Sequence, residues 1–277
     1  MEYSLKNLKS IINEKNFNFK KIFGQNFIID ENITNKIIEK AQIDKDTLVI
    51  EIGPGAGSLT TKLVKYAGYV LCYEIDSSLK EILDKMLENV LNIEILYQDF
   101  LKSNIKKDIE KYSYNKLYVV ANLPYYITTP IIMKIIGDKI DVDKMVVMVQ
   151  KEVGNRFKAT PGTKDYNSLS IFLNYYFNVK KLLDVSRNVF LPKPNVDSIV
   201  VEFSKRKNKL PLKNEQIFFQ LIRDSFKQKR KTLRNNLKGY NLVKVNDILN
   251  KYSMDLNIRA EQIPIDIFVD IANNLDE

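Results

Sequence analysis

The sequence predicts an α/β fold: a mostly parallel sheet with helices on both faces, followed by a small all-helical C-terminal domain. Three observations predict it. Between Thr47 and Val149, short runs rich in Val and Ile alternate with amphipathic helical stretches. That is the pattern of strands buried on both faces and joined by crossover helices. A glycine-rich turn follows the first of those runs, and after about residue 208 only helical patterns remain.

Taken in order, Met1 to Asn16 mixes charged and apolar residues and reads as an amphipathic helix. It lacks the basic start, apolar block and small-residue cleavage site of a signal peptide. Thr47–Glu51 is the first strand, Gly57–Ala67 a helix, and Tyr69–Glu74 the second strand. Ser77–Val90 is helical, with Ser77 as a suitable N-cap. Ile93–Tyr97, Lys116–Ala121 and Lys144–Val149 supply strands three to five. Two later β-rich runs, Asn178–Val185 and Val196–Phe203, suit an antiparallel pair at the sheet's edge. The charged stretch Ser204–Pro211 reads as a linker, and Glu215–Phe226 and Asp266–Asn274 as helices. The expected division is therefore 1–207 and 208–277.

Composition narrows the chemistry. The 277 residues contain no histidine and one cysteine, Cys72. Ser-His-Asp and Cys-His catalysis are excluded, the commonest transition-metal ligand is missing, and no metal is expected. Cys72 sits in a strand-like run and reads as a small buried side chain. No segment is apolar for long enough to span a bilayer, so no membrane partner is expected and a cytoplasmic protein is the simplest reading. The net charge of +9 fits a polyanionic partner such as nucleic acid, and it equally fits a lysine-rich proteome.

The sharpest motif is Glu51-Ile52-Gly53-Pro54-Gly55-Ala56-Gly57, at the turn out of the first strand. Glycines there let the backbone approach a ligand closely. The order is G-x-G-x-G, unlike the pyrophosphate fingerprint G-x-G-x-x-G. An acid, Glu51, precedes it by two residues and would repel a pyrophosphate. It suits a ligand with a cationic amino group, such as the methionine part of S-adenosylmethionine. Glu74, ending strand two, is placed to accept both ribose hydroxyls, and Asp99, after strand three, to accept from the adenine amine. All three acids fall at the carboxyl ends of strands, where open α/β sheets bind ligands. Together they indicate a Rossmann-like sheet of the class I S-adenosylmethionine methyltransferase type, with S-adenosylhomocysteine as product.

Strand four ends in Asn122-Leu123-Pro124-Tyr125. An adenine amine is a poor nucleophile because its lone pair is delocalised into the ring. The Asn122 side-chain oxygen and the Leu123 carbonyl could hold its N–H groups and turn that lone pair toward a methyl donor. Pro124 fixes the turn, and Tyr125 offers a face for stacking. Phe190, in a loop stiffened by Pro192 and Pro194, could be a second stacking wall or simply core packing. Arg223–Lys238 holds seven basic residues and one acidic. Of these, Arg223, Lys227, Lys229, Arg230, Lys231 and Arg234 are candidate contacts to RNA phosphates.

These motifs resemble the ribosomal RNA adenine dimethyltransferases of the small subunit. The resemblance rests on Phe23–Phe27 (FGQNF), Glu51–Gly57 (EIGPGAG), Glu74–Asp76 (EID) and Asn122–Tyr125 (NLPY). It continues through Val149–Val153 (VQKEV), Ser168–Ser170 (SLS), Phe190–Ser198 (FLPKPNVDS) and Phe226–Leu237 (FKQKRKTLRNNL), covering the chain from about residue 17 to its end. It implies a catalytic domain over 1–207, in which 1–30 form an N-terminal helix and a cofactor-covering segment. It implies an RNA- or ribosome-contacting helical domain over 208–277. The implied reaction is dimethylation of two adjacent adenosines in a hairpin loop near the 3′ end of 16S rRNA, on the immature small subunit, by an enzyme expected to be a monomer. By the same resemblance Asn26 and Ile28 join Gly53, Gly55, Gly57, Glu74, Asp99 and Asn122 at the cofactor, and Phe190 stacks on the target base. Three positions depart from the family's usual residues: Ile28 for Leu, Tyr126 for Asn and Asn167 for Gly. The alternatives are a 23S rRNA adenine methyltransferase conferring antibiotic resistance, which usually reads NIPY in place of NLPY, and a protein acting chiefly as a small-subunit assembly factor.

Overall fold

The computed structural model describes residues 25–208 and 210–275. The expected N-terminal helix, and Phe23 and Gly24 of the FGQNF run, lie outside the described residues. The strands are β1 (Phe27–Ile28), β2 (Thr47–Ile52), β3 (Tyr69–Tyr73), β4 (Ile93–Leu96), β5 (Lys116–Asn122), β6 (Lys144–Gln150), β7 (Phe177–Val185), β8 (Phe190–Leu191) and β9 (Ser198–Lys205). The helices are α1 (Glu31–Ala41), α2 (Thr60–Tyr66), α3 (Lys80–Met86), α4 (Ile105–Ile109), α5 (Thr128–Gly137), α6 (Lys151–Phe157), α7 (Ser168–Tyr176), α8 (Glu215–Ser225), α9 (Leu233–Asn236), α10 (Leu242–Lys251) and α11 (Ile265–Leu275).

Among the described residues, seven strands form one sheet in the order β4-β3-β2-β5-β6-β9-β7. β2 to β6 pair parallel, and β9 runs antiparallel to β6 with Val147 opposite Val201. The direction of winding reverses between β2 and β5, and a crevice opens at such a switch point. Every residue of β2 is buried, which is why its sequence is nearly continuous in apolar residues and does not alternate. One face receives Val49, Val70, Val120 and Val146 against Ile37 and Ile38 of α1 and Leu63 of α2. The intervening Leu48, Ile50, Leu71 and Val119 are equally buried, so both faces are covered. A separate antiparallel pair joins β1 to β8, setting Ile28 opposite Phe190.

Local capping explains where the helices start. Asp30 caps α1 by accepting from Asn32 N at 2.9 Å, and Gln42 closes it in the left-handed region at φ 54°. The expectation of Ser77 as a cap is corrected: Asp76 accepts from Ser78 N at 3.1 Å, and one 3₁₀ turn, Ser77–Leu79, precedes α3. Asp76 has the extended backbone of an N-cap (φ −93°, ψ 93°), and its carboxylate-type side chain reaches the second amide beyond it, so the helical turn begins one residue earlier than a Ser77 cap would start it. The helix after β2 starts at Thr60 and not at Gly57, because Gly53, Gly55 and Gly57 all hold positive φ.

The chain packs as two units. One comprises the described residues up to Gly154 together with Lys180–Ser204, the other Asn155–Val179 with the described residues from Lys205 onward. The division is thus not a single cut near residue 208. The segment 155–179 joins the later helices because its apolar face is buried on them: Ile171 and Tyr175 of α7 share a core with Phe218, Leu221, Val245, Leu249 and Phe268. Tyr166 fastens the same segment by donating to the Ile263 carbonyl at 3.1 Å.

Candidate active site

A cleft open to solvent lies at the carboxyl ends of β2, β3, β4 and β5. Of the residues expected at a ligand, Asn26, Glu51, Gly53, Gly55, Glu74, Asp99, Asn122, Leu123, Pro124 and Tyr125 all line it. Three do not. Gly57 shapes the turn at φ 83° without reaching the cleft. Ile28 and Phe190 are 1% and 3% exposed and pack in the core beneath α1, paired with each other through β1 and β8.

The turn between β2 and α2 needs its glycines for two reasons. Gly53 and Gly55 hold φ of 71° and 58°, which L side chains resist. A Cβ on Gly55 would also stand 2.9 Å from the Phe27 ring, whereas one on Gly53 would meet nothing within 4 Å.

Glu74 is 4% exposed and fixed at both oxygens. Oε2 accepts from Gly55 N at 3.1 Å and Oε1 from Asp76 N at 2.8 Å. A carboxylate offers about four acceptor sites, so each oxygen keeps one for a ligand hydroxyl. Burial raises its pKa, while those amides pull the other way. Asp99 spends Oδ1 on Leu101 N at 2.9 Å, as the cap of a 3₁₀ turn. It is at once a cap and a cleft residue. Glu51 is 1% exposed and lies beside Cys72, whose thiol donates to Oε2 at 3.6 Å. Burial pushes the Glu51 carboxyl up to about 8; interactions with the Thr60 and Cys72 side chains oppose this, and Glu74 adds to it. Cys72 itself is buried, and burial raises its thiol well above the ordinary range.

At the end of β5 the orientation of Asn122 is set by its own amide. Nδ2 donates to the Asn26 carbonyl at 3.0 Å, so Oδ1 faces away from that contact. Among the described residues nothing donates to this oxygen or to the Leu123 carbonyl. The Pro124 carbonyl is occupied by Ile127 N and by Thr128 Oγ1, each at 3.2 Å. Tyr125 is half-buried and anchored by a 2.7 Å hydrogen bond between its hydroxyl and that of Ser198. The cleft therefore presents two unclaimed acceptors next to a tethered ring. Gln25, Phe27, Ile75 and Tyr126 also line it, and sequence reasoning assigned none of them a role. For Ile75 the sequence signal is its place in the Glu74–Asp76 run, directly after Glu74, too weak to assign it a role.

The six basic candidates, Arg223, Lys227, Lys229, Arg230, Lys231 and Arg234, belong to the second unit and are all exposed. The acid among them, Asp224, is committed elsewhere. Burial works against its charge, but hydrogen bonds from Tyr240 (2.7 Å) and Gln220 (2.9 Å), with Lys227 and Arg223 nearby, hold its pKa below the ordinary value. Lys229 reaches the Lys164 carbonyl at 3.2 Å, which brings the exposed Lys164 beside the basic segment. Among the described residues no group of three or more His, Cys, Asp or Glu side chains is arranged to hold a metal ion, and no helix is long and apolar enough to cross a membrane.

A parallel sheet with this strand order, glycine turn and row of strand-end acids defines a class I S-adenosylmethionine-dependent methyltransferase. A family model described as ribosomal RNA adenine dimethylase matches residues 16–277, and the chain belongs to that family. It is 44% identical over 277 residues to the ribosomal RNA small subunit methyltransferase A of Geobacillus sp. (strain WCH70), covering 96% of this chain and 95% of the relative. It is 48% identical over 236 residues to the protein of the same name from Staphylococcus aureus (strain bovine RF122 / ET3-1), covering 84% and 80%. Among solved structures, a dimethyladenosine transferase from Plasmodium falciparum superposes with a TM-score of 0.75 at 28% identity, covering 88% of this chain and 95% of that one. The 23S rRNA methyltransferase ErmE shares the fold, with a TM-score of 0.73 at 24% identity over 91% of this chain and all of that one.

Proposed function

We propose that the chain dimethylates N6 of two adjacent adenosines in a hairpin loop near the 3′ end of 16S rRNA, during biogenesis of the small ribosomal subunit in the cytoplasm. The observation that carries this reading is Asn122. Its amide is pinned by the Asn26 carbonyl, so its oxygen is left to accept in a cleft that also holds Glu74 and Asp99. The names of its relatives support rRNA of the small subunit as substrate.

S-adenosylmethionine, when bound, supplies a methyl group on a positively charged sulfur. Glu74 is suited to its ribose hydroxyls and Asp99 to its adenine amine, with Gly53 allowing close approach; Glu51, protonated while the cleft holds no cation, would be drawn into its charged form by the ammonium beside it. Asn122 Oδ1 and the Leu123 carbonyl accept the two N–H bonds of the target amine, which turns its lone pair out of conjugation. Tyr125, held by Ser198, provides the stacking face. No imidazole is present in the chain, so positioning and fixed dipoles carry the acceleration. A hairpin loop offers bases that splay out at a cost of about a few kcal/mol. The basic residues of the second unit, in a single-chain enzyme, supply phosphate contacts.

The test is methyl incorporation from labelled cofactor into undermodified small subunits, followed by digestion to nucleosides. N6,N6-dimethyladenosine in 16S rRNA is the expected product. Incorporation into large-subunit RNA instead, or none into either particle, would overturn the reading.

A further inference from the structure

Large apolar side chains left exposed inside a cleft are informative, because burial would stabilise them and nothing in the fold provides it. Two such residues line this cleft: Ile75, 49% exposed, and Tyr126, 57% exposed. Each adjoins a carboxylate the cleft also contains. Ile75 follows Glu74 directly. Tyr126 precedes α5, and α5 packs against the 3₁₀ turn Phe100–Lys102 that Asp99 caps. The Asp99 charge is felt at the Tyr126 hydroxyl, where burial first and that carboxylate second raise the phenol's pKa. Tyr125, by contrast, is tied down at Ser198. The two adjacent tyrosines therefore do different things: one is a fixed inner wall, the other an exposed outer one near Asp99.

We propose that Tyr126 is a cofactor-binding residue that covers the purine of the methyl donor where its amine meets Asp99. The proposal rests on the donor site described above and adds a residue to it. An aromatic face over a purine is worth roughly tenfold or more in affinity, so the exposed ring becomes useful only when the ligand is present. It also separates the purine of the donor from the purine of the substrate: Tyr126 serves the first and Tyr125 the second.

The experiment is calorimetric titration of S-adenosylhomocysteine into the full chain, its Tyr126→Ala variant and its Tyr126→Phe variant, alongside steady-state methylation of undermodified small subunits. Tyr126→Ala is expected to weaken the S-adenosylhomocysteine complex about tenfold and to raise KM for S-adenosylmethionine by a similar factor. Its KM for the particle and its kcat at saturating donor should stay within about twofold, and Tyr126→Phe should behave as the parent. Thermal unfolding should not shift, because the ring is exposed. Unchanged S-adenosylhomocysteine affinity in Tyr126→Ala overturns the proposal, and so does a raised KM for the particle alone, which would assign the ring to RNA. If the parent chain itself fails to bind S-adenosylhomocysteine, the donor site as a whole is wrong, and that result is distinct from either.

Discussion

Asn122 and Glu51 do their work as single residues, and each makes a sharp prediction. Asn122→Ala removes an acceptor that nothing else in the cleft duplicates at that position. Removing one preorganised electrostatic interaction typically costs about 10²–10³ in rate. The expected outcome is a fall of that size in methyl transfer, with RNA affinity in a filter-binding assay unchanged. Undiminished turnover would remove Asn122 from the chemistry. Glu51 predicts a pH effect. Its carboxyl is held up at about 8 in the folded chain by burial, against an ordinary 4.5. The folded state thus keeps a proton that the unfolded chain releases. That contribution to stability is complete below pH 4.5 and is lost as pH rises through 8. Glu51→Gln keeps the neutral shape without the titration. Its melting temperature should therefore gain on the parent's between pH 5 and pH 9. Parallel pH profiles for the two proteins would show that Glu51 is ionised in the fold.

At the scale of elements, the turn from β2 to α2 is the most constrained piece of backbone. Gly55→Ala imposes a left-handed residue with a Cβ and also drives that Cβ to 2.9 Å from the Phe27 ring. Gly53→Ala imposes only the first of these, since its Cβ would enter open space. Backbone strain of this kind costs of order 1–3 kcal/mol. Gly55→Ala should be the less stable of the two in urea unfolding, by roughly the cost of moving the ring. Gly53→Ala should keep more of its stability and lose cofactor affinity, because Gly53 lines the cleft and an added methyl would compete with a closely approaching ligand. The β1–β8 pair is the second informative element. It draws Ile28 and Phe190 together in the core. Substituting Phe190 by Ala should therefore lower stability by about 3–5 kcal/mol.

For the whole molecule the relevant quantity is charge. The chain carries +9 overall, and the second unit gathers six exposed cations on one stretch of sequence with its only acid tied to Tyr240. Each phosphate that is no longer neutralised should reduce the log–log salt slope of RNA binding by about 0.7–0.9. Replacing Lys229, Arg230 and Lys231 by Ala should flatten the slope by roughly two units, measured by filter binding across a salt series. A slope equal to the parent's would mean that these side chains do not neutralise phosphates. Cofactor affinity should be unaffected by the same changes.

Much of this was legible in the residues alone. The strand runs, the glycine turn, Glu74, Asp99 and Asn122 follow from local patterning. Backbone conformation and strand-end position are short-range properties, and a parallel sheet brings its strand ends together by topology. Packing partners are not short-range. That Phe190 packs opposite Ile28 depends on β1 finding β8 across more than a hundred and fifty residues. That residues 155–179 side with the later helices depends on which apolar face could be buried most fully. That Tyr126 stays exposed beside Asp99 depends on how α5 meets the turn after β4. Sequence determined the kind of site and its chemical groups; the tertiary structure decided which side chains reach it, because burial is settled by competition among distant surfaces.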